Sequence, residues 1–360
     1  MSPSKASRRR RWAAATLLAV LVGLALATQL VLQRGSRPEP AAGQPDANPF
    51  VREFSMFGTY GRVTFWAPAA VAEVAWARIL TELQAIHDIL NNFDPKSELS
   101  RLNREAHQSP FRCSDRLWDV LLQCRRAWSE TDGAFDISVG PLMHLWGFHQ
   151  KRTTYPAPAE VQEALAAVGL SKVVVFDDAQ KTVRLLHPKA CLDMGGMAKG
   201  YALDRAMKTA RTCGIRCALI DLGGNVGCLE EPPPGRRHYS VGIRNPVGNE
   251  ALLGTVRITD CAVATSGNYE NYLQLDGKLV HHIVDPRTGY PVPDVASVTV
   301  ITPLGIDSDV YSTAVFVAGD ALVSKLRETH HRTSVLIVRL NAPGKSEVSR
   351  YGWVWEEYTE

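Results

Sequence analysis

Six short stretches of the chain set glycine, aspartate and small polar residues between apolar runs: Ser55–Gly61, Thr131–Phe148, Leu192–Asp204, Ile220–Gly227, His281–Gly289 and Gly305–Thr313. In Leu192–Asp204 two adjacent glycines leave backbone N–H groups bare at the start of an expected helix, an arrangement that attracts phosphate. Lys199 lies one turn inside that helix. The order of residues is neither G-x-x-x-x-G-K-[ST] nor G-x-G-x-x-G, and tight packing of a helix on a strand explains the same glycines. Asp307, Asp309, Ser312 and Thr313 open an apolar helix, Val310–Val317. Their oxygen donors suit Mg²⁺ rather than zinc, with helix capping by Asp309 as the alternative. His281 and His282 end an expected strand just before a turn, Asp285–Gly289. A neutral imidazole there is a general base suited to pH 7, with Asp285 in reserve. Asp132 and Asp136 flank Gly133-Ala134-Phe135, which also reads as the turn after a helix. The chain carries no HExxH, no cysteine cluster and no G-x-S-x-G. Taken together, the stretches describe a site for a phosphorylated, ring-bearing ligand with a hard cation.

Elements of both kinds must position these residues. Apolar spacing predicts helices over 71–90, over 117–128 with Ser114 or Asp115 as cap, over 159–168 between Pro158 and Gly169, and from Gly195-Gly196 to about Gly214. Strands are expected at 173–176 and 182–186, paired as a hairpin, and at 217–222, 239–243, 252–259, 281–284, 297–301 and 334–340. Between 217 and 302 there is little room for crossover helices, which favours an α+β fold with a mixed, largely antiparallel sheet flanked by helices.

The front of the chain differs from its body. Arg8–Arg11 precede an uncharged run, Trp12–Leu32. As a helix that run spans roughly 31 Å, enough for a bilayer core. The arginines favour the cytoplasmic side. Three segments therefore precede the body: a basic region at 1–11, a transmembrane signal anchor or signal peptide at 12–32 (Ala25-Leu26-Ala27 being the cleavage-like site), and a flexible linker at 33–49. One catalytic domain is expected over 50–360. The whole chain has 40 basic and 37 acidic residues, but Lys5 and Arg8–Arg11 all fall in the front segment, so the body is nearly balanced. Such a body does not resemble a nucleic-acid binder, which needs a clustered basic face. The seven cysteines are dispersed and form no disulfide framework.

Three stretches, TDGAFDISVGPLMHLWGF (Thr131–Phe148), DMGGMAKGYALD (Asp193–Asp204) and HIVDPRTG (His282–Gly289), resemble in this order the ApbE family of FAD:protein FMN transferases. The resemblance runs from about Phe54 to Gly319. It implies a mixed α/β fold that binds FAD in a cleft with Mg²⁺ at the diphosphate. It also implies an activity: FAD is cut, FMN is attached through a phosphoester to a Thr or Ser of a membrane flavoprotein carrying a D-x-x-[ST]-G-A-T-like target, and AMP is released. By resemblance, Ala134, Phe135, Asp136, Asp193, Lys199, His282 and Ile283 contact the flavin nucleotide, and Phe93 lies near the adenine. The metal falls to the Gly196 carbonyl, Asp309 and Thr313, with Ser312 close by. Members often read Met-Gly-Thr where this chain has Met56-Phe57-Gly58-Thr59, so Met56 or Phe57 covers the flavin; Ser138 stands where proline is commoner. The resemblance also leaves open an FAD diphosphatase and a non-catalytic FAD-binding accessory protein. With the front segment, the expectation is a catalytic body in the periplasm, anchored to a bacterial inner membrane, or released into the periplasm where the signal is cleaved.

Overall fold

The computed structural model describes residues 48–247, 252–342 and 345–352. The expected basic segment, membrane helix and most of the linker lie outside them. Among the described residues, no helix is long and apolar enough to cross a membrane.

The chain opens with a hairpin, β1 (Phe50–Met56) and β2 (Thr59–Phe65). Its two-residue turn puts Phe57 and Gly58 at φ 55° and 71°. Tight hairpin turns need positive φ, which a bulky residue seldom adopts. Helix α1 (Ala69–Leu90) follows. The spacing of apolar residues foretold it, but the face it buries is partly alanine: Ala72 and Ala75 join Ile79, Leu83, Ile86 and Leu90, while Val74 and Leu80 are exposed. Next come α2 (Glu98–Glu105) and α3 (Asp115–Glu130), the latter capped by Ser114, whose hydroxyl accepts from Leu117 N–H at 3.2 Å. A 3₁₀ turn at Ile137–Val139 leads to α4 (Gly140–Trp146), α5 (Pro158–Leu165) and a single turn, α6 (Leu170–Val173). β3 (Phe111–Arg112), β4 (Val174–Asp177) and β5 (Thr182–Leu185) form a small antiparallel sheet in the order β3-β5-β4.

Helix α7 (Ala198–Thr212) follows the paired glycines and is succeeded by strands alone until residue 302: β6 (Ala218–Leu222), β7 (Asn225–Cys228), β8 (Tyr239–Arg244), β9 (Leu252–Ile258), β10 (Cys261–Gly267), β11 (Tyr272–Leu275), β12 (Lys278–His281) and β13 (Val295–Thr302). Helices α8 (Gly305–Ala318) and α9 (Asp320–Thr329) and strands β14 (Ser334–Ala342) and β15 (Lys345–Tyr351) complete the chain. The main sheet has eight strands in the order β1-β2-β6-β7-β10-β13-β14-β15, every neighbouring pair antiparallel. This is the α+β arrangement that the run of strands implied. One expectation shifts: the strand foreseen at 281–284 is the close of a β11–β12 hairpin, and residues 282–284 continue as an extended segment that makes one bridge, Val284 to Pro291.

One face of the main sheet carries α7 against β6 and β7, and α8 against β10 and β13, with α1 outside α7. The β8–β9 hairpin adds its own apolar cluster with Cys217, Cys228, Cys261, Val263 and Ile301. Helices α7 and α8 touch backbone to backbone. A Cβ on Gly200 would lie 2.4 Å from the Gly305 carbonyl oxygen and 2.7 Å from Asp309 Cβ. Asp204, at the end of the glycine-rich motif, receives the first N–H groups of α8, from Gly305 at 2.6 Å and Ile306 at 2.9 Å. α8 therefore starts five residues before the expected Val310, and Asp309 sits inside the helix rather than capping it. Gly200→Ala is expected to destabilise the protein by at least about 1–3 kcal/mol through overpacking, read as a lower denaturant midpoint; an unchanged midpoint would refute the contact.

Candidate active site

A cavity of about 360 Å³ opens where the start of α7, the middle of α8, the ends of β7 and β10 and the segment after β12 converge. From the first motif it takes Ala134, Phe135 and Asp136. The Asp136 carboxylate is saturated by protein donors: Ser138 N–H and Oγ at 2.7 and 2.6 Å, Trp128 Nε1 at 3.1 Å and Leu170 N–H at 2.8 Å. Ser138 thereby gains a role that proline has no hydroxyl to fill.

From the second motif come Asp193, Gly195, Gly196 and Lys199. Asp193 accepts Gly195 N–H at 2.7 Å and pairs with His149 Nε2 at 2.6 Å. Burial pushes this carboxyl up, but His149 beside it outweighs burial and holds it below the usual range. Gly196 has no Cβ to fill the space between the Phe135 ring (3.1 Å) and Thr313 Oγ1 (3.6 Å). Lys199 Nζ stands 3.7 Å from Asp309 Oδ1, while Asp309 Oδ2 accepts Gly200 N–H at 2.8 Å. Asp309 and Thr313 are four apart on α8 and so share one face; both line the cavity. Ser266 Oγ lies 3.1 Å from Thr313 Oγ1 and 2.8 Å from Ser312 Oγ.

His282 and Ile283 line the cavity as well. His282 Nδ1 is 3.1 Å from the Asn271 carbonyl oxygen. A carbonyl only accepts, so Nδ1 carries the proton and Nε2 keeps its lone pair. Burial lowers the His282 pKa to about 4, so the ring is neutral at pH 7.

Five expected residues do not line the cavity. Asp285 binds Arg287 through both carboxylate oxygens at 2.9 Å and also accepts Arg287 N–H, which ties it into its own turn. Ser312 is fully buried, turned to Ser266 and the Asp309 carbonyl. Met56 packs on the main core, and Phe57 meets His87 edge-on at 5.3 Å. Phe93 is 74% exposed and touches His149, one residue removed from the cavity wall.

Other residues of the wall were not foreseen. The turn Gly223-Gly224 and Asn225 lie in a stretch that the sequence flagged without choosing a residue. Asn225 is buried, and its amide nitrogen has no protein partner. Thr265, Ser266, Gly267, Tyr269 and Glu270 come from the end of β10 and beyond it, and Gly242 and Arg244 from β8. A signal for the former was present in the small polar run ATSGNYE.

A family model described as the ApbE family matches residues 57–337. The chain belongs to the ApbE family. The FAD:protein FMN transferase of Salmonella typhimurium is 32% identical over 314 residues, covering 86% of this chain and 88% of that one. That of Treponema pallidum is 34% identical over 290 residues, covering 75% and 80%. Among solved structures, the ApbE protein of Thermotoga maritima matches with a TM-score of 0.75 and 31% identity, covering 84% of this chain and 97% of the other. The flavin transferase ApbE of Vibrio cholerae also gives 0.75, covering 86% and 100%, at 22% identity, a likeness of fold alone.

The His282 shift carries a sign. Its folded pKa of about 4 lies below the ordinary 6.5, so the unfolded chain binds more protons between those values. The stability it contributes is complete above about pH 6.5 and is lost as pH falls towards about 4. His282→Asn is expected to flatten the stability–pH curve across that window, measured by urea unfolding; an unchanged slope would refute the shift.

Proposed function

We propose that this chain transfers FMN from FAD to a Thr or Ser hydroxyl of an acceptor flavoprotein, releasing AMP. The observation that carries this reading is the meeting of Lys199, Asp309, Thr313 and the bare Gly196 backbone with a neutral His282 in one cavity of an ApbE-family chain. The donor set fits a hard cation: one buried carboxylate whose Oδ1 faces Lys199 Nζ at 3.7 Å, a hydroxyl and a backbone carbonyl, all oxygen. Asp309, Thr313 and the Gly196 carbonyl would hold Mg²⁺; Ser312 would not, since its hydroxyl is turned away. Bound there, the ion would supply charge neutralisation at the diphosphate.

The remaining steps belong to the protein. Lys199 places a positive charge beside the diphosphate. The bare Gly196 backbone lets the diphosphate oxygens come close to the start of α7. The acceptor hydroxyl attacks the phosphorus of the FMN half, the P–O–P bond breaks, and AMP leaves. His282 Nε2 takes the hydroxyl proton, with Nδ1 held by Asn271 so that the lone pair stays on Nε2. The acceptor is a membrane flavoprotein with a D-x-x-[ST]-G-A-T-like target. Arg8–Arg11 ahead of an uncharged run support an inner-membrane anchor with the catalytic body in the periplasm.

The test is to incubate the protein with FAD, Mg²⁺ and such an acceptor, then look for flavin fluorescence on the denatured acceptor band and for AMP. Labelled acceptor with AMP is expected. Free FMN and AMP with no label would replace this reading with a diphosphatase, and intact bound FAD with an accessory protein. His282→Ala is expected to slow transfer by about 10²–10⁴-fold while FAD binding persists; equal rates would remove His282 from the mechanism. Asp309→Asn is expected to lose more than about 10²-fold, the equivalent of several kcal/mol of charge stabilisation, and Mg²⁺ titration of the two proteins checks it.

A further inference from the structure

All seven cysteines are unbridged thiols in the structure. Two of them, Cys228 at the end of β7 and Cys261 at the start of β10, are direct cross-strand partners. The ladder between the two strands ends on this pair, because Leu229 N–H turns to the Ala218 carbonyl of β6. Residue 229 therefore faces β6 and residue 228 faces β10, which makes Cys228 and Cys261 a hydrogen-bonded pair with Cα atoms roughly 5.5 Å apart. That spacing lies within the range of roughly 4.4–6.8 Å that a disulfide spans. Both side chains point to the same face and are buried, and Cys228 Sγ lies 3.5 Å from the Cys261 carbonyl oxygen.

The other five thiols have different neighbours. Cys217, in the same apolar cluster, receives the Tyr239 hydroxyl at 3.3 Å. Cys124 meets Met194, Cys213 meets Arg78, and Cys113 and Cys191 face backbone carbonyls.

We propose that Cys228 and Cys261 form a cross-strand disulfide that closes the base of the β8–β9 arm. The whole arm lies between the two cysteines in the chain, and it carries Gly242 and Arg244 to the cavity wall. The Arg244 guanidinium lies 4.9 Å above the Tyr269 ring and 3.9 Å from Glu270. A bond at the base fixes β7 against β10, the two strands whose other ends present Asn225 and Thr265–Gly267 to the ligand.

The chemistry needs a disulfide-bearing oxidant, either a small molecule or a protein. One of the two cysteines, as its thiolate, attacks one oxidant sulfur and expels the other as a thiolate. The second cysteine, losing its proton, then attacks the first one's Sγ in the mixed disulfide and expels the second oxidant thiolate. Two protons and two electrons leave the protein, and the oxidant is reduced to two thiols. Because both sulfurs are buried in the finished fold, the exchange takes place while the chain folds.

The test refolds the full chain in oxidised and reduced glutathione, denatures it, alkylates free thiols and maps the peptides by mass. The expected result is five alkylated cysteines and one linked peptide pair, Cys228 with Cys261, lighter by two hydrogens. Dithiothreitol should lower Tm by on the order of 5–10 °C. Cys228→Ala and Cys261→Ala should each show six alkylated thiols and no dependence of Tm on reductant. Seven alkylated cysteines in the wild type, a link between any other pair, or a Tm response that survives in both variants would overturn the proposal. The wild-type map decides the matter even where a variant does not fold.

Discussion

Two helices meet without side chains between them, and the functional geometry hangs on that contact. At Gly200 and Gly305 the backbones of α7 and α8 approach so closely that neither position has room for a Cβ. The approach brings Gly200 N–H to Asp309, which offsets part of the cost of burying a carboxylate. It also brings Gly196 and Lys199, at the start of one helix, to the face of the other that bears Asp309 and Thr313. Any side chain wedged into the crossing would separate Lys199 from Asp309 and open the cavity at its centre. Asp204 reinforces the arrangement by receiving the first two N–H groups of α8, so one helix caps the other.

Around this crossing most charges are already neutralised by the protein itself. Asp136 has four donors, Asp193 has His149 and Gly195, and Asp285 has Arg287. What remains for a ligand is a short set: one oxygen of Asp309, the Lys199 ammonium, the Asn225 amide, the lone pair of His282 Nε2, and the bare backbone at Gly196. The set is matched to an anionic diphosphate joined to a ring, and it explains why so many aspartates in the motifs serve architecture.

Much of this was legible in the sequence, and the exceptions have physical reasons. The helices with strong apolar spacing and the uninterrupted run of strands after Cys217 announced an antiparallel α+β fold. Helix α1 was legible as an element but not in its buried face, because alanines are chosen where a helix must pack closely. Asp309 was readable as cap or ligand; only the partner helix, contributing Asp204, resolves that. Asp285 and Arg287 close on each other two residues apart, a turn contact that the choice of Asp285 as reserve base did not include. Phe93 lies off the wall because His149 stands between it and Asp193. His149, Asn225, Arg244 and the 265–270 segment went unnoticed as individual residues because their roles arise from distant segments meeting, which no local pattern records.

The wall of the cavity runs from Ala134 to Thr313 in the chain, so the site has a high contact order. Each patch of it is separated from the next by a whole element, and every closing contact comes at the entropic cost of a long loop. No fragment of the chain therefore carries a usable portion of the site. A ligand that binds here recognises only chains in which both helices and the strands between them have docked, and by mass action it enriches that population. The site thus acts as a proofreading point for its own maturation: a half-folded copy has nothing with which to hold the nucleotide.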